Sequence, residues 1–349
     1  MRSHVKSRAR LVVTGAALFA TIGLLAGCTS SGEEGENVVD QGTTTEENAA
    51  EGDTVTIGFS GPAADHGWLG AINSGALAAA ESFPDVDLQV AEGTNDVSAQ
   101  IAAVETFIND GVDAIVLLPS DGAALTEVAI QAMEAGIPVI NVDREFSSPF
   151  AAHTTVLGDN YGMGVSAGTY ICAELSDNPD AIVAEVAGID SLPLTQDRSQ
   201  GFADALADCG LEVGPRVAAD FTVQGGEAAT SQLLSANPQI DALWNHDDDQ
   251  GIGVLAAISA AGRDEFFMVG GAGSRNAMEA IEADDTVLKA TVIYPSTQAA
   301  DGIALARLIA QGKTIGDLIT PSVPNRIVLD APVVTKENVA DYIDLSFES

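Results

Sequence analysis

Positive charge is what this sequence has least of. Its 349 residues carry 14 Lys and Arg against 51 Asp and Glu, a formal net charge of −37. Four of the cations, Arg2, Lys6, Arg8 and Arg10, fall in the first ten residues, so the rest of the chain sets ten against the same 51 acids. A nucleic-acid surface needs a basic face, and that class of function is excluded. Such acidity favours solubility and suits a salty environment. Long apolar runs are also scarce. Apart from residues 11–25, no stretch approaches membrane-spanning length. Cysteine occurs three times, and the chain has two tryptophans and four histidines. Aliphatic residues are plentiful instead. A hydrophobic content of 46% marks a globular chain, long enough for two domains with cores of their own.

The basic start and the apolar run read as a secretory signal peptide over residues 1–27. The run closes on Leu25-Ala26-Gly27-Cys28, which resembles the bacterial lipobox, in which the cysteine becomes the lipidated first residue. A plain signal peptide with a chance cysteine is the alternative. The expected location is the outer face of the cell membrane, exported and lipid-anchored through Cys28. Residues 28–53, rich in Gly, Ser, Thr and Glu, have almost nothing to bury and read as a disordered acidic tether. Two cysteines remain. Cys172 and Cys209 fall near the ends of helices flanking one strand, so a disulfide is possible in an exported protein, with two buried thiols as the alternative.

From residue 54 short apolar strands alternate with alanine-rich helices. Strands are expected at 55–59, 87–91, 114–118 and 138–142, with helices near 68–82, 97–110 and 123–135. After Gly158 the pattern restarts, with strands near 182–187, 215–220, 241–245, 267–270 and 288–292. Runs such as "DAIVLLPS" lack period-two alternation, as parallel strands covered on both faces do. Two such series predict an α/β fold of two doubly wound parallel-sheet lobes. Ligands of such sheets bind beyond the carboxyl ends of the strands, so the residues just after each strand are the candidates. They include His66 and Trp68, Asp143 and Arg144, Arg198, Phe221, and Asp247. Asp121, Asp249 and Ser274 read as helix caps. Carboxylates and guanidiniums make paired hydrogen bonds to vicinal hydroxyls, and a flat ring stacks on the C–H face of a polyhydroxylated ligand.

The stretches "TIGFSGPAADHGWLGAINSGALAAA", "GVDAIVLLPSDGAAL", "AGIPVINVDRE", "LGDNYGMG", "DRSQGFADAL", "NPQIDALWNHDDDQGIGVLAAI" and "MVGGAG" follow one another in an order that resembles the periplasmic sugar-binding proteins of the ribose/galactose type. The resemblance implies that Trp68 stacks on a sugar and that His66 is a polar residue of the same loop. It implies that Asp143 and Arg144 bind hydroxyls from the first lobe, and that Arg198, Phe221 and Asp247 face them from the second. Tyr294 stands near a crossing segment where a glutamine is frequent, and Ala272 where many members have an aspartate. Leu69 replaces a second aromatic of the ribose-type pattern, and these three departures bear on the sugar's identity and not on its class. The resemblance also implies a three-segment hinge, with 54–158 plus 295–330 as the N-terminal lobe and 159–294 plus 331–349 as the C-terminal lobe. The partners it implies are a monosaccharide or sugar alcohol and an ABC permease with its ATPase. It implies a monomer with no cofactor and no metal. A sensing role beside a receptor is the alternative, and a sugar-modifying enzyme a more remote one. "GMGVSAG" and "VGGAGS" depart from dinucleotide and phosphate motifs and read as close packing. His246 beside Asp247–Asp249 suggests a metal cluster only until one notes that successive side chains at a strand end alternate in direction.

Overall fold

The computed structural model describes residues 43–64, 67–316, 318 and 322–349. The signal segment, Cys28, most of the tether and the pair Asp65-His66 lie outside the described residues. A short helix α1 (Thr45–Ala49) leads into β1 (Val55–Ser60), α2 (Gly67–Ser82), β2 (Val86–Val90), α3 (Val97–Asp110), β3 (Ala114–Leu117), α4 (Gly122–Glu134), β4 (Val139–Val142) and β5 (Thr154–Gly158). A second series follows: α5 (Asn160–Glu174), β6 (Val183–Ala187), α6 (Pro193–Asp208), β7 (Val213–Ala218), α7 (Val223–Ala236), β8 (Ala242–Asn245), α8 (Asp248–Ala261), β9 (Phe267–Ala272), α9 (Arg275–Ala283) and β10 (Leu288–Ile293). The chain ends with α10 (Gln298–Ala310), β11 (Arg326–Leu329), β12 (Val333–Thr335) and α11 (Val339–Tyr342).

The strands form two sheets of six, ordered β11-β5-β4-β3-β1-β2 and β12-β10-β9-β8-β6-β7. Pairings between named strands are parallel except β10 with β12. Parallel order follows from the sequence of β3 and β4, AIVL and VINV, which are buried at every residue and so need helices on both faces. The chain passes between the sheets three times: from β5 to α5, from β10 to α10, which packs on α2, β3 and β4, and from β11 to β12. Strands β5, β11 and β12 lack an expectation of their own. β11 is a half-exposed edge strand and β12 is three residues long, so neither leaves a strong apolar run.

Asp121 and Ser274 cap α4 and α9 as their positions suggest. The cap of α8 is Asp247, which accepts from the Gln250 N–H at 3.0 Å, and not Asp249. Helix α8 begins two residues earlier than a cap at Asp249 allows, and Asp249 Oδ2 instead accepts from the Trp68 N–H of the other lobe at 3.1 Å. Cys172 on α5 and Cys209 at the end of α6 form a disulfide with Cα atoms 6.1 Å apart. Helices α5 and α6 lie close because a Cβ on Gly164 would meet the Arg198 carbonyl at 2.1 Å and one on Gly201 the Tyr161 carbonyl at 2.1 Å. Small residues of "GMGVSAG" therefore serve packing, and that packing aims Arg198.

Residues 43–53 correct the expectation of a disordered tether that runs to residue 53. Thr44 and Glu47 form a capping box on α1, and Thr43 exchanges hydrogen bonds with Thr314. Arg307, 2% exposed, donates to the Asn48 and Ala50 carbonyls at 2.6 and 2.8 Å and pairs with buried Asp85 at 2.6 Å. The Arg307 guanidinium holds the Asp85 carboxyl well below the usual carboxylate range. Composition gives no sign of this docking, because its partners, Asp85, Arg307, Gln311, Lys313 and Thr314, are distant along the chain.

Candidate functional site

Between the two sheets lies a cavity lined by Trp68, Asp143, Arg144, Leu194, Arg198, Phe221, Asp247 and Tyr294. Its empty volume, counting the open mouth, is about 340 Å³. Both lobes contribute, and Tyr294 stands on the second crossing. Seven of the eight candidates from the sequence are brought together here; the eighth, His66, falls outside the described residues.

Each polar wall is held by a residue behind it. Asp143 follows β4 with φ +63°, a left-handed conformation tolerated by Asp and enriched at functional sites. Buried Asn141 fixes this turn by donating to the Arg144 carbonyl at 3.1 Å and accepting from the Phe146 N–H at 3.2 Å. Arg144 reaches the Ser120 carbonyl at 2.9 Å, while its Nε is buried with no hydrogen-bond partner, 3.8 Å from Asp143 Oδ2. That turn at Ser120 is in turn held by Gln100, whose Oε1 accepts from the Ser120 N–H at 2.7 Å. On the facing lobe Arg198 donates through Nε to Asn160 Oδ1 at 2.9 Å and through a terminal nitrogen to the His246 carbonyl at 3.0 Å. Phe221 sits at φ +66°, and Gln250 pins it by accepting its N–H at 2.9 Å.

The rings close the rest. Trp68 is buried and donates through Nε1 to the Tyr294 carbonyl at 3.2 Å, its ring 5.3 Å from that of Tyr294. It is core anchor and cavity wall at once. The Tyr294 hydroxyl donates to Asp143 Oδ1 and accepts from Asn160 Nδ2 at 3.1 Å. Burial, with the Asp143 charge beside it, raises the phenol's pKa, so it keeps its proton. Asp143, Tyr294, Asn160 and Arg198 thus form one hydrogen-bond chain from lobe to lobe. Asn160 stands two residues past β5, a strand without an expectation of its own, and Leu194 lies in the first turn of α6, well past the end of β6.

Of the three consecutive acids, only Asp247 lines the cavity. Asp248 faces away and accepts from the N–H groups of Gly271, Gly273 and Ser274 at 2.8–2.9 Å and from Thr291 Oγ1 at 2.9 Å. The amides of "VGGAGS" therefore embrace an internal carboxylate. Burial pushes Asp248 up to about 7 against the pull of those donors. His246 also turns from the cavity, its Nε2 2.8 Å from Glu185 Oε1 and its ring 4.1 Å from that of Trp244. Burial lowers its pKa despite Glu185, which favours the neutral ring. Among the described residues no group of three His, Cys, Asp or Glu is placed to hold a metal ion.

Residues 57–314 match the model of the periplasmic binding protein domain. The chain belongs to this family. A relative from Bacillus subtilis, a ribose import binding protein, is 33% identical over 221 residues, covering 61% of this chain and 70% of that protein. The galactofuranose-binding protein of Escherichia coli is 30% identical over 214 residues, 60% of this chain and 67% of that one. A solved structure from Mycobacterium smegmatis, in complex with β-D-fucofuranose, superposes with a TM-score of 0.74 at 26% identity, covering 83% of this chain and 94% of that one. These similarities identify a ribose/galactose-type periplasmic sugar-binding protein with the two-lobed type I fold. Family membership implies export. Among the described residues no helix is long and apolar enough to cross a membrane.

Proposed function

We propose that the protein captures a monosaccharide or sugar alcohol between its lobes and delivers it to the permease of an ABC importer. The observation that carries this reading is the cavity itself. It sets two guanidiniums and two carboxylates, drawn from both lobes, among three aromatic rings. The two charge signs balance, which suits a neutral ligand rich in hydroxyls. Guanidinium and carboxylate bond vicinal hydroxyls in pairs, and the rings cover C–H faces. The buried, unpartnered Nε–H of Arg144 is a donor awaiting such a hydroxyl. A ligand touching both lobes favours the closed form over the open one. About 5 kcal/mol of differential binding turns a rare closed state into the dominant one, and the permease then needs to read only that shape.

On this reading the site binds and does not convert. Incubation with pentoses, hexoses and polyols is expected to raise the melting temperature for a subset, with each sugar recovered unchanged. Unaltered melting across the panel overturns the ligand class, and a new product overturns the binding role. We further propose that Cys28 carries the lipid anchor. Cys28→Ala is expected to move the protein from the membrane fraction to the soluble one; continued anchoring overturns this.

A further inference from the structure

A second, larger cavity adjoins the first, and Asp143, Arg144 and Leu194 line both. It lies between the start of α4 and the first turn of α6, with the first crossing, Gly158–Asn160, along it. Trp68, Phe221 and Asp247 line the first cavity alone. On the Trp68 side the two lobes meet. Asp249 Oδ2 holds the Trp68 N–H at 3.1 Å, and a Cβ on Gly67 would stand 2.6 Å from Ser349 Cα. A ligand that outgrows the first cavity therefore finds its room past Asp143 and Arg144, and not past Trp68.

The junction holds polar atoms that the protein leaves unused. Arg144 Nε is buried without a hydrogen-bond partner. The Asp143 side chain is 2% exposed, and while Oδ1 accepts from the Tyr294 hydroxyl, Oδ2 lies 3.8 Å from Arg144 Nε, beyond hydrogen-bond reach. Buried polar groups ordinarily find partners, so a ligand acceptor and a ligand donor belong at this spot. An acetal oxygen and the hydroxyl beside it supply that pair: the oxygen accepts from Arg144 Nε and the hydroxyl donates to Asp143 Oδ2. The acetal oxygen is also the atom through which a sugar carries a substituent. Beyond the junction the walls are acidic. Asp121, Glu145, Asp159 and Asp197 face Arg144 and Arg326, and Glu145 already engages Arg326 at 3.0 and 3.1 Å. Asp121 and Asp159 accept from helix N–H groups of their own lobes. Burial, with Glu145 of the facing lobe, raises the Asp197 carboxyl. Closing the lobes thus sets like charges across this cavity, which an ammonium between them relieves and a further carboxylate aggravates.

We infer that the ligand is a glycoside, its sugar in the first cavity and its substituent in the second, where an amine is favoured over an acid. This inference rests on the sugar-binding reading above and deepens it. Asp143 and Arg144 hold the link between the two parts, and Asp197 reads the charge of the substituent.

The test is calorimetry on the full-length protein, for wild type and Asp197→Asn. The probes are ribose, arabinose, galactose and glucose, each as the free sugar and as α- and β-glycosides bearing a methyl, 2-aminoethyl or carboxymethyl group. For a sugar that binds, one anomeric series is expected to bind at least as tightly as the free sugar when it carries methyl. In that series the 2-aminoethyl glycoside should bind about tenfold or more tighter than the carboxymethyl one. Asp197→Asn should narrow that preference by about threefold or more while free-sugar affinity stays within about threefold of wild type. Glycosides that all bind about tenfold or more weaker than their free sugars overturn the inference, because the first cavity is then shut against a substituent. Amine and acid that bind alike overturn it too, as does a preference that Asp197→Asn leaves unchanged. Absence of binding by every free sugar and every glycoside sinks the sugar-binding reading itself, and the glycoside with it.

Discussion

Arg198→Ala is the substitution with the most to reveal about the second lobe. Arg198 is 4% exposed and its guanidinium serves four neighbours: Asn160 Oδ1, the His246 carbonyl, the Tyr294 ring and, at 5.9 Å, the Phe221 ring. Two of these acceptors, Asn160 Oδ1 and the His246 carbonyl, lose a charged donor when it goes, so the melting curve of the variant is read before its affinity. Binding is expected to suffer. Removing one charged member of a buried polar constellation costs about 2–5 kcal/mol, which at about 1.4 kcal/mol per tenfold is roughly a 30-fold to few-thousandfold weaker Kd. Arg198→Lys provides the comparison. A lysine keeps the charge, but one ammonium lacks the planar fork that serves Asn160 and His246 together, so its affinity should fall between the two. Calorimetry with the tightest sugar of the panel reads the effect, with melting curves to confirm a folded protein. A folded Arg198→Ala variant whose Kd stays within about threefold of wild type refutes the assignment of this arginine to the ligand.

Three further outcomes are expected. A Cβ on Gly67 would lie 2.6 Å from Ser349 Cα and 2.7 Å from Asp249 Oδ1, both on the opposite lobe, so Gly67→Ala should hinder closure and weaken sugar binding about tenfold or more with little change in the melting of the sugar-free protein. Equal affinity would mean the lobes do not meet there. Asp248 has a folded pKa of about 7, above the unfolded value of about 3.9. Its contribution to stability is complete below that unfolded value and is lost as pH rises through about 7. The melting temperature of Asp248→Asn relative to wild type should therefore improve between pH 4 and pH 8, and a flat difference would show that Asp248 is ionised throughout. Arg307→Ala should break the buried pair with Asp85 at a cost of about 3–5 kcal/mol and release residues 43–53 to rapid hydrogen exchange; unchanged protection would assign their order to other contacts.

The fold was legible because its signals are local and repeated. Buried runs such as those of β3 and β4 announce parallel strands, and capping residues such as Asp121 and Ser274 mark where helices begin. The strand-end rule then points to Asp143, Arg144 and Phe221 without any knowledge of tertiary contacts, since the chain geometry of a doubly wound sheet delivers those positions to one edge. What stayed hidden depends on meetings between distant segments. Asn160 matters because it joins Tyr294 to Arg198, and Leu194 because α6 leans into the gap. The choice among Asp247, Asp248 and Asp249 turns on a helix start shifted by two residues. Residues 43–53 are held by Arg307 together with Asp85, Gln311 and Thr314, all distant along the chain.

A crystal structure of the protein grown with its tightest-binding sugar tests the account most directly. The account predicts the sugar between the lobes, hydrogen-bonded to both Arg144 and Arg198 and covered by Trp68 and Phe221, with Tyr294 still in its place. A sugar bound to one lobe alone, or lodged outside this cavity while the two arginines keep to their internal partners, contradicts it.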